Sequence, residues 1–432
     1  MKKILFYFWQ SKSLTGSGWL FAEKLTQGIL SIILTAAIAR HLGTLQFGQL
    51  TFATTYVAFF FVAATLSMDA VVIRNLARAT TSPGETLGSC LTIRIAFGLL
   101  TWVLSSVSIF ILKSGTTDSF WPVLIIGSTL FTQAFHTTDL WFQSQSKASL
   151  GAKGRLCGTL FSSSIKVGLL VNQAPLSWFF FSIALDTIIA AIFLSIIYKK
   201  YPCPTRWQAS SKLIIELIQS SWPLALSGVA IMTFMKVDQL IVASVLGEEA
   251  LGVYATAATL SQGFAFIPSV IVAIKSPSIA RARIDNHKQY LEEMARLLRQ
   301  IGLFSIVLCL SLSLLSPLLI PVIFGSAYTK SSQVFSLLVF NNICIFIGMA
   351  QGIFIINESL QRITFISTLI SALCALAFSL IFTPTYGLIG AASSALTANL
   401  ISVVILPMML SNKVRELYKY SFLTRHFSRT LP

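Results

Sequence analysis

The chain is poor in charge. Asp, Glu, Lys and Arg make up only 11% of its 432 residues, against about 25% in an ordinary soluble domain. Acidic residues are scarcest, 15 against 31 basic ones, and there are four histidines. No stretch of the chain is polar enough to be set aside as a soluble catalytic domain, and large extramembrane domains are excluded with it. The six cysteines include no Cys-x-x-Cys pair; Cys203 falls between hydrophobic runs, while Cys90, Cys157, Cys309, Cys344 and Cys374 lie in or beside them. That placement excludes a disulfide framework and a zinc site. The run Ile4 to Trp9 is too short for a signal-peptide core and has no small-residue cleavage site, so the first hydrophobic run is expected to stay as an anchor.

What the chain has is apolar sequence, 55% of all residues, with a mean hydropathy of +0.79. It reads as a polytopic membrane protein. Hydrophobic runs predict twelve spans, at 17–40, 48–71, 87–112, 119–142, 156–172 and 177–198, then 220–246, 250–273, 298–324, 333–357, 361–383 and 386–411. Twelve spans of roughly 20 residues use about 240, which leaves only short loops. Backbone groups in lipid must be satisfied within the segment, so the spans are helices and the fold class is all-α.

Basic residues are unevenly placed. With the amino terminus inside, 24 of the 31 fall in inside segments, three (Arg40, Lys113, Lys330) fall outside, and Lys24, Arg94, Lys166 and Lys236 lie within spans. This bias puts both termini in the cytoplasm. It also accounts for the net charge of +16 without nucleic acid, the inside loops facing anionic headgroups. The six basic residues of the 275–299 loop read first as part of the same bias, and second as a regulatory or partner site.

The halves repeat. Leu42-Gly43-Thr44-Leu45-Gln46-Phe47-Gly48, with Ala53, recurs as Leu246-Gly247-Glu248-Glu249-Ala250-Leu251-Gly252, with Ala257, at an offset of 204. With a one-residue gap, Leu76-Ala77-Arg78-Ala79 matches Ile279-Ala280-Arg281-Ala282. Six spans per half restore the same side of the membrane, so the halves are parallel. The expectation is a six-helix lobe at 1–205 and a second at 206–432, around a central cavity, an arrangement suited to alternating access.

Several pieces in order resemble a known family. They are Ala39-Arg40-His41-Leu42-Gly43 to Phe47-Gly48 with Asp69 to Arg74; Val237-Asp238-Gln239 through Leu246-Gly247 to Gly252-Val253-Tyr254; and Leu140-Trp141-Phe142-Gln143. Phe324-Gly325-Ser326-Ala327-Tyr328 and Gly387-Leu388-Ile389-Gly390-Ala391-Ala392 follow in the same order. Together they resemble the polysaccharide (O-antigen) flippases of the multidrug/oligosaccharidyl-lipid/polysaccharide exporter superfamily. The resemblance implies a bacterial inner-membrane protein that moves undecaprenyl-pyrophosphate-linked oligosaccharide outward. Its implied partners are that lipid, membrane lipids and the polysaccharide polymerase machinery, with no nucleic acid.

Charges at membrane depth cost about 2.5–3.5 kcal/mol each on insertion scales, so they face a wet cavity or a partner. Lys236, Arg94 and Lys166 are candidates to meet the anionic pyrophosphate; Lys24, near the inner end of the first span, joins them. Lys166 and Asp186 lie on consecutive spans, about 9 and 14 Å from the outer end by helical rise, and could instead bridge each other. Lys236 and Asp238 are about 200° apart around a helix and cannot share one face. Asp238 and Asp186 are candidates for coupling or charge balance. Glu23, Lys24, Asp69 and Asp139, in the cytoplasmic quarter of their spans, read first as residues that snorkel or pair at helix ends. Trp19, Trp121, Trp141, Trp178 and Trp222 read as an interfacial belt, and mid-span Trp102 as lipid-facing packing. Pro268, Pro317 and Pro321 read as kinks.

Rival functions fit less well. A drug or cation exporter of the superfamily is expected to carry an acid deep in the first bundle, where the first span has only Glu23. A peptidoglycan-precursor flippase is expected to have two further carboxy-terminal spans. A polymerase needs a large outside loop with catalytic arginines, and the outside loops offer only Lys113, Asp118 and Lys330 as clear charges; Arg74 to Glu85 does not supply the loop of a major-facilitator permease. His41, His136, His287 and His426 form no metal or nucleophile–base pattern. No enzyme activity, metal or cofactor is expected.

Overall fold

A computed structural model describes residues 12–78, 81–112 and 117–422, and it contains helices and no strand among them. Lys2, Lys3, the run Ile4 to Trp9, Lys113, Arg425, His426, Arg429 and the side chain of Asp118 lie outside what is described. Eight helical segments among the described residues are long and apolar enough to cross a membrane, and the protein is a multi-pass membrane protein. The chain forms two compact units, one ending at Met232 and the other starting at Thr233.

In the first unit, α1 (Lys12–Thr65) is broken at Gly43, followed by α2 (Asp69–Arg78) and α3 (Pro83–Leu112). The expected span 119–142 is helical throughout but not uniform: α4 (Thr117–Gly127) and α5 (Thr137–Ser144) are joined by a helical turn at Thr129–Thr132 and a tighter 3₁₀ turn at Gln133–His136, with helical φ and ψ kept at Ser128, Gln133 and Thr137. Ser128 Oγ donates to the Ile125 carbonyl at 2.7 Å and Thr137 Oγ1 to the Ala134 carbonyl at 2.6 Å along it. α6 (Ala148–Val171) and α7 (Leu176–Lys200) then pack so closely that a Cβ at Gly158 would stand 2.9 Å from Ala190 Cα. Small residues serve here because lipid supplies no hydrophobic force between helices.

The segment leading into α8 (Ser211–Leu246) is held on α3. Thr205 Oγ1 accepts from the Gly84 amide at 2.7 Å, the Gln208 amide donates to the Gly84 carbonyl at 3.3 Å, and Ser89 Oγ accepts from the Ser210 amide at 3.0 Å. A Cβ on Gly84 or Gly88 would run into the backbone of Arg206 or Gln208. Residues 206–232 therefore pack with the first unit, and its division from the second falls inside α8 rather than at 205/206.

The second unit continues with α9 (Glu248–Gly263), α10 (Phe266–Asp285) and α11 (His287–Phe324), whose start is capped by the Asn286 side chain. α12 (Ser331–Leu338) and α13 (Asn341–Asn357) follow, then α14 (Gln361–Leu400), broken at Gly387. A π turn (Ile401–Ile405), α15 (Leu406–Leu410) and the amphipathic α16 (Asn412–Phe422) end the described chain. Pro268 stands just beyond the break between α9 and α10, whereas α11 continues through Pro317 and Pro321 to Phe324.

The repeat has a backbone counterpart. Gly43 (φ +73°, ψ 178°) and Gly247 (φ +90°, ψ 171°) adopt nearly the same left-handed conformation 204 residues apart, one that a β-carbon disfavours. Each unit also has an apolar cluster near the expected cytoplasmic ends of its spans. One gathers Met68, Val72, Leu87, Cys90, Phe142 and Leu194; the other gathers Tyr290, Met294, Leu298, Phe346, Phe354 and Leu417. Trp19, Trp121, Trp178 and Trp222 are exposed, but Trp141 is 9% exposed and donates to the Tyr201 carbonyl at 3.3 Å. Trp141 is therefore a packing residue, a correction to the belt reading: α5 faces the cluster at that position.

Candidate functional site

Three ion pairs surround the non-uniform segment of the first unit. Arg94, on α3, is buried and paired with Asp69 at the start of α2; its Nη1 also donates to Thr137 Oγ1 at 3.4 Å, and its Nε has no partner. Lys166 on α6 meets Asp186 on α7 at 2.5 Å, the bridge the sequence allowed as an alternative to a cavity role. His136 Nε2 contacts the Thr187 carbonyl at 2.9 Å.

Sequence reasoning missed the third. Arg155, assigned to an inside loop, sends Nε to Glu23 Oε1 at 2.6 Å and Nη2 to Glu23 Oε2 at 2.9 Å, while Nη1 pairs with Asp139. Glu23 is fully buried and Asp139 nearly so. Gly151 makes room for the Asp139 carboxylate, which sits where a Cβ would stand. The surplus of two acids over one arginine was a usable signal, since acids so deep in an apolar chain must find a cation. Glu23 and Asp139 are thus internal ion-pair residues rather than helix-end ones, because α1, α5 and α6 bring them to one guanidinium.

The remaining candidates differ. Lys24 is exposed and Lys236, on α8, is half-buried; neither has a hydrogen bond or ion pair among the described residues. Asp238 does not pair with Lys236, as their angular separation requires. It accepts from Tyr254 OH at 2.5 Å and from the Gln239 amide at 2.8 Å, and Tyr254, on α9, is fully buried. Of the four cations placed within spans, two are therefore in close ion pairs, whereas Lys24 and Lys236 have no hydrogen bond or ion pair among the described residues, Lys236 feeling Asp238 only at longer range. A lysine whose donors are not taken up can bind an anionic group such as a diphosphate. No group of three or more His, Cys, Asp or Glu side chains among the described residues could hold a metal ion.

The family model described as "Polysaccharide biosynthesis protein" matches residues 37–333, from the first span through the start of α12. The chain belongs to this family. A further relative, the capsular polysaccharide biosynthesis protein CapF of Staphylococcus aureus, is 22% identical over 393 residues, which is 89% of this chain and 96% of CapF. Among solved structures, the lipid II flippase MurJ in an inward closed conformation is similar with a TM-score of 0.71 and 16% identity, over 93% of this chain and 90% of MurJ. An inward-facing multidrug-resistance MATE transporter of the MOP superfamily gives 0.65 and 12% identity, over 92% of this chain and 96% of that one. At those identities the two structures establish a shared fold, the all-α fold expected from the sequence, in which the solved examples are transporters.

Proposed function

We propose that this family member is a flippase that moves undecaprenyl-pyrophosphate-linked oligosaccharide across the bacterial inner membrane by alternating access, with both termini cytoplasmic and without enzymatic chemistry. Twelve crossings are part of this reading: the eight apolar helical segments, two of them divided at Gly43 and Gly387, with 117–144 and 148–171 supplying the others. Polysaccharide polymerase machinery is the partner that would consume the product. The observation that carries the proposal is Lys236, a mid-span cation that makes no hydrogen bond or close ion pair among the described residues, Asp238 acting on it only at longer range, in a chain of a polysaccharide biosynthesis family. A charge at that depth whose donors are not taken up is suited to a ligand.

Lys236 and Lys24 are assigned to the diphosphate, with Arg94 and Lys166 supporting roles that require release from Asp69 and Asp186. Asp238 and Asp186 remain the candidates for coupling or charge balance. The test is flipping of lipid-linked oligosaccharide by reconstituted protein. Losing a charged hydrogen bond costs about 1.5–3 kcal/mol, so Lys236→Ala should slow flipping about tenfold or more while Lys236→Arg retains most of it. Equal rates for wild type, Lys236→Ala and Lys24→Ala at matched protein would remove both lysines from the site. An inactive wild type that instead expels a cationic dye would favour the drug-exporter reading.

A further inference from the structure

The ion pair of Arg94 and Asp69 is lopsided. The Arg94 side chain is 4% exposed and that of Asp69 58%. The cation is built into the fold, on α3 and against the fully buried Thr137, while its anion stands at the surface. The guanidinium is also only half used. An arginine can hold an oxyanion side-on through Nε and Nη2 together, and Arg155 does so, with those two nitrogens on the two oxygens of Glu23. On Arg94 the same edge has Nη2 on Asp69 Oδ1, whereas the buried Nε has no partner among the described residues. A buried donor without an acceptor is costly, so this one marks a place for a second oxygen.

The turn that brings Asp69 to Arg94 is strained. Leu66 and Ser67 both have φ +48°, a left-handed backbone that a β-carbon disfavours. The turn is held by the Met68 amide, which donates to the Thr65 carbonyl at 3.1 Å, and by α8, where a Cβ at Gly228 would stand 2.7 Å from Ser67 Oγ. Strain of this kind collects in ligand clamps and switches. In the proposed orientation Arg94 lies about 10 Å from the inner end of the third span, and Asp69 near the inner end of the second, on the side from which the carrier is loaded.

We propose that Asp69 is a displaceable internal anion: it occupies the oxyanion position of Arg94 until the diphosphate of the carrier lipid takes its place and bridges Nε and Nη2. The inference rests on the flippase reading. A diphosphate carries more charge than a carboxylate and suits both nitrogens of that edge, whereas Asp69 engages one. Asp69 is therefore a positioning residue that compensates Arg94 between substrates, and its charge works against binding. Only protein with Asp69 released can bind at Arg94, so the apparent affinity is lowered by the fraction in that state.

The experiment measures binding of polyprenyl diphosphate to full-length protein in detergent. Asp69→Asn removes the internal competitor and should tighten binding about tenfold or more, the equivalent of one charged hydrogen bond. A residue that only stabilised Arg94 would not give that sign, since its loss would leave binding unchanged or weaker. Asp69→Ser is a second uncharged variant, used if Asp69→Asn does not yield monodisperse protein. In an Arg94→Gln background, adding Asp69→Asn should change nothing, and this double variant is expected to fold because it leaves no buried charge unpaired at the site. Tightening that persists without Arg94 would be a general gain in positive charge and would overturn the proposal, as would unchanged or weaker binding by both uncharged variants. Phosphatidylglycerol is titrated in parallel, and an equal tightening toward it would assign Arg94 to bulk lipid headgroups and overturn the proposal too. Flipping of lipid-linked oligosaccharide by the wild type is measured alongside. Active flipping without tightening rejects the exchange alone, whereas tightening with an inactive wild type supports the exchange and rejects the transport reading.

Discussion

Removing Arg155 should be among the most damaging single changes to the first unit. Arg155→Ala strips three hydrogen bonds from two carboxylates at once and leaves Glu23, whose side chain is 1% exposed, with no cation. Breaking one side of a buried ion pair costs about 3–5 kcal/mol. The assay is the temperature of half-loss of monodisperse protein in detergent, followed by fluorescence-detected size exclusion at pH 7. Arg155→Lys should fall between wild type and Arg155→Ala, because an ammonium cannot present the fork that reaches both acids. Combining Arg155→Met with Glu23→Gln and Asp139→Asn should recover much of the loss, because no buried charge is left unpaired. An Arg155→Ala protein as stable as wild type, or a triple variant no more stable than Arg155→Ala, would refute charge compensation as the role of this cluster.

Two further outcomes follow from other contacts. Gly88→Val should drive its new side chain into the Gln208 backbone and release the 205–210 segment, at about 1–3 kcal/mol for forced overpacking; faster trypsin cleavage after Arg206 would show it, and unchanged cleavage would contradict it. Tyr418→Phe should cost about 1–3 kcal/mol, because Tyr418 OH donates to the buried Gln351 Oε1 at 2.7 Å and nothing else on α16 can replace it. Burial also pushes the Tyr418 phenol pKa well above its usual range, so this contribution should be flat from pH 6 to 9 in a thermal-shift series.

Much of the fold was legible because the membrane restricts the choices. Long apolar runs had to be helices, and the bias in basic residues sets the orientation proposed for them. The Leu-Gly repeat located two equivalent left-handed turns, at Gly43 and Gly247, because few residues other than glycine tolerate that conformation. The tighter turn at 133–136 was not legible, because it is decided over three or four residues whereas span hydropathy averages over about twenty. The site was legible in residue type and not in pairing. Lys166 with Asp186 could be offered from adjacent spans, but Arg94 with Asp69, and Arg155 with Glu23 and Asp139, needed the positions of five helices.

The amino-acid sequence alone determined that this chain lies in a membrane, that it is helical, that it is built twice over, and which few ionisable groups the bilayer makes expensive. Tertiary structure decided which of those groups are already in close ion pairs and which are not, among the described residues. The reason is one of range: the cost of dehydrating a charge follows from its depth along one helix, whereas its relief depends on which neighbouring helix brings an opposite charge within about 3 Å.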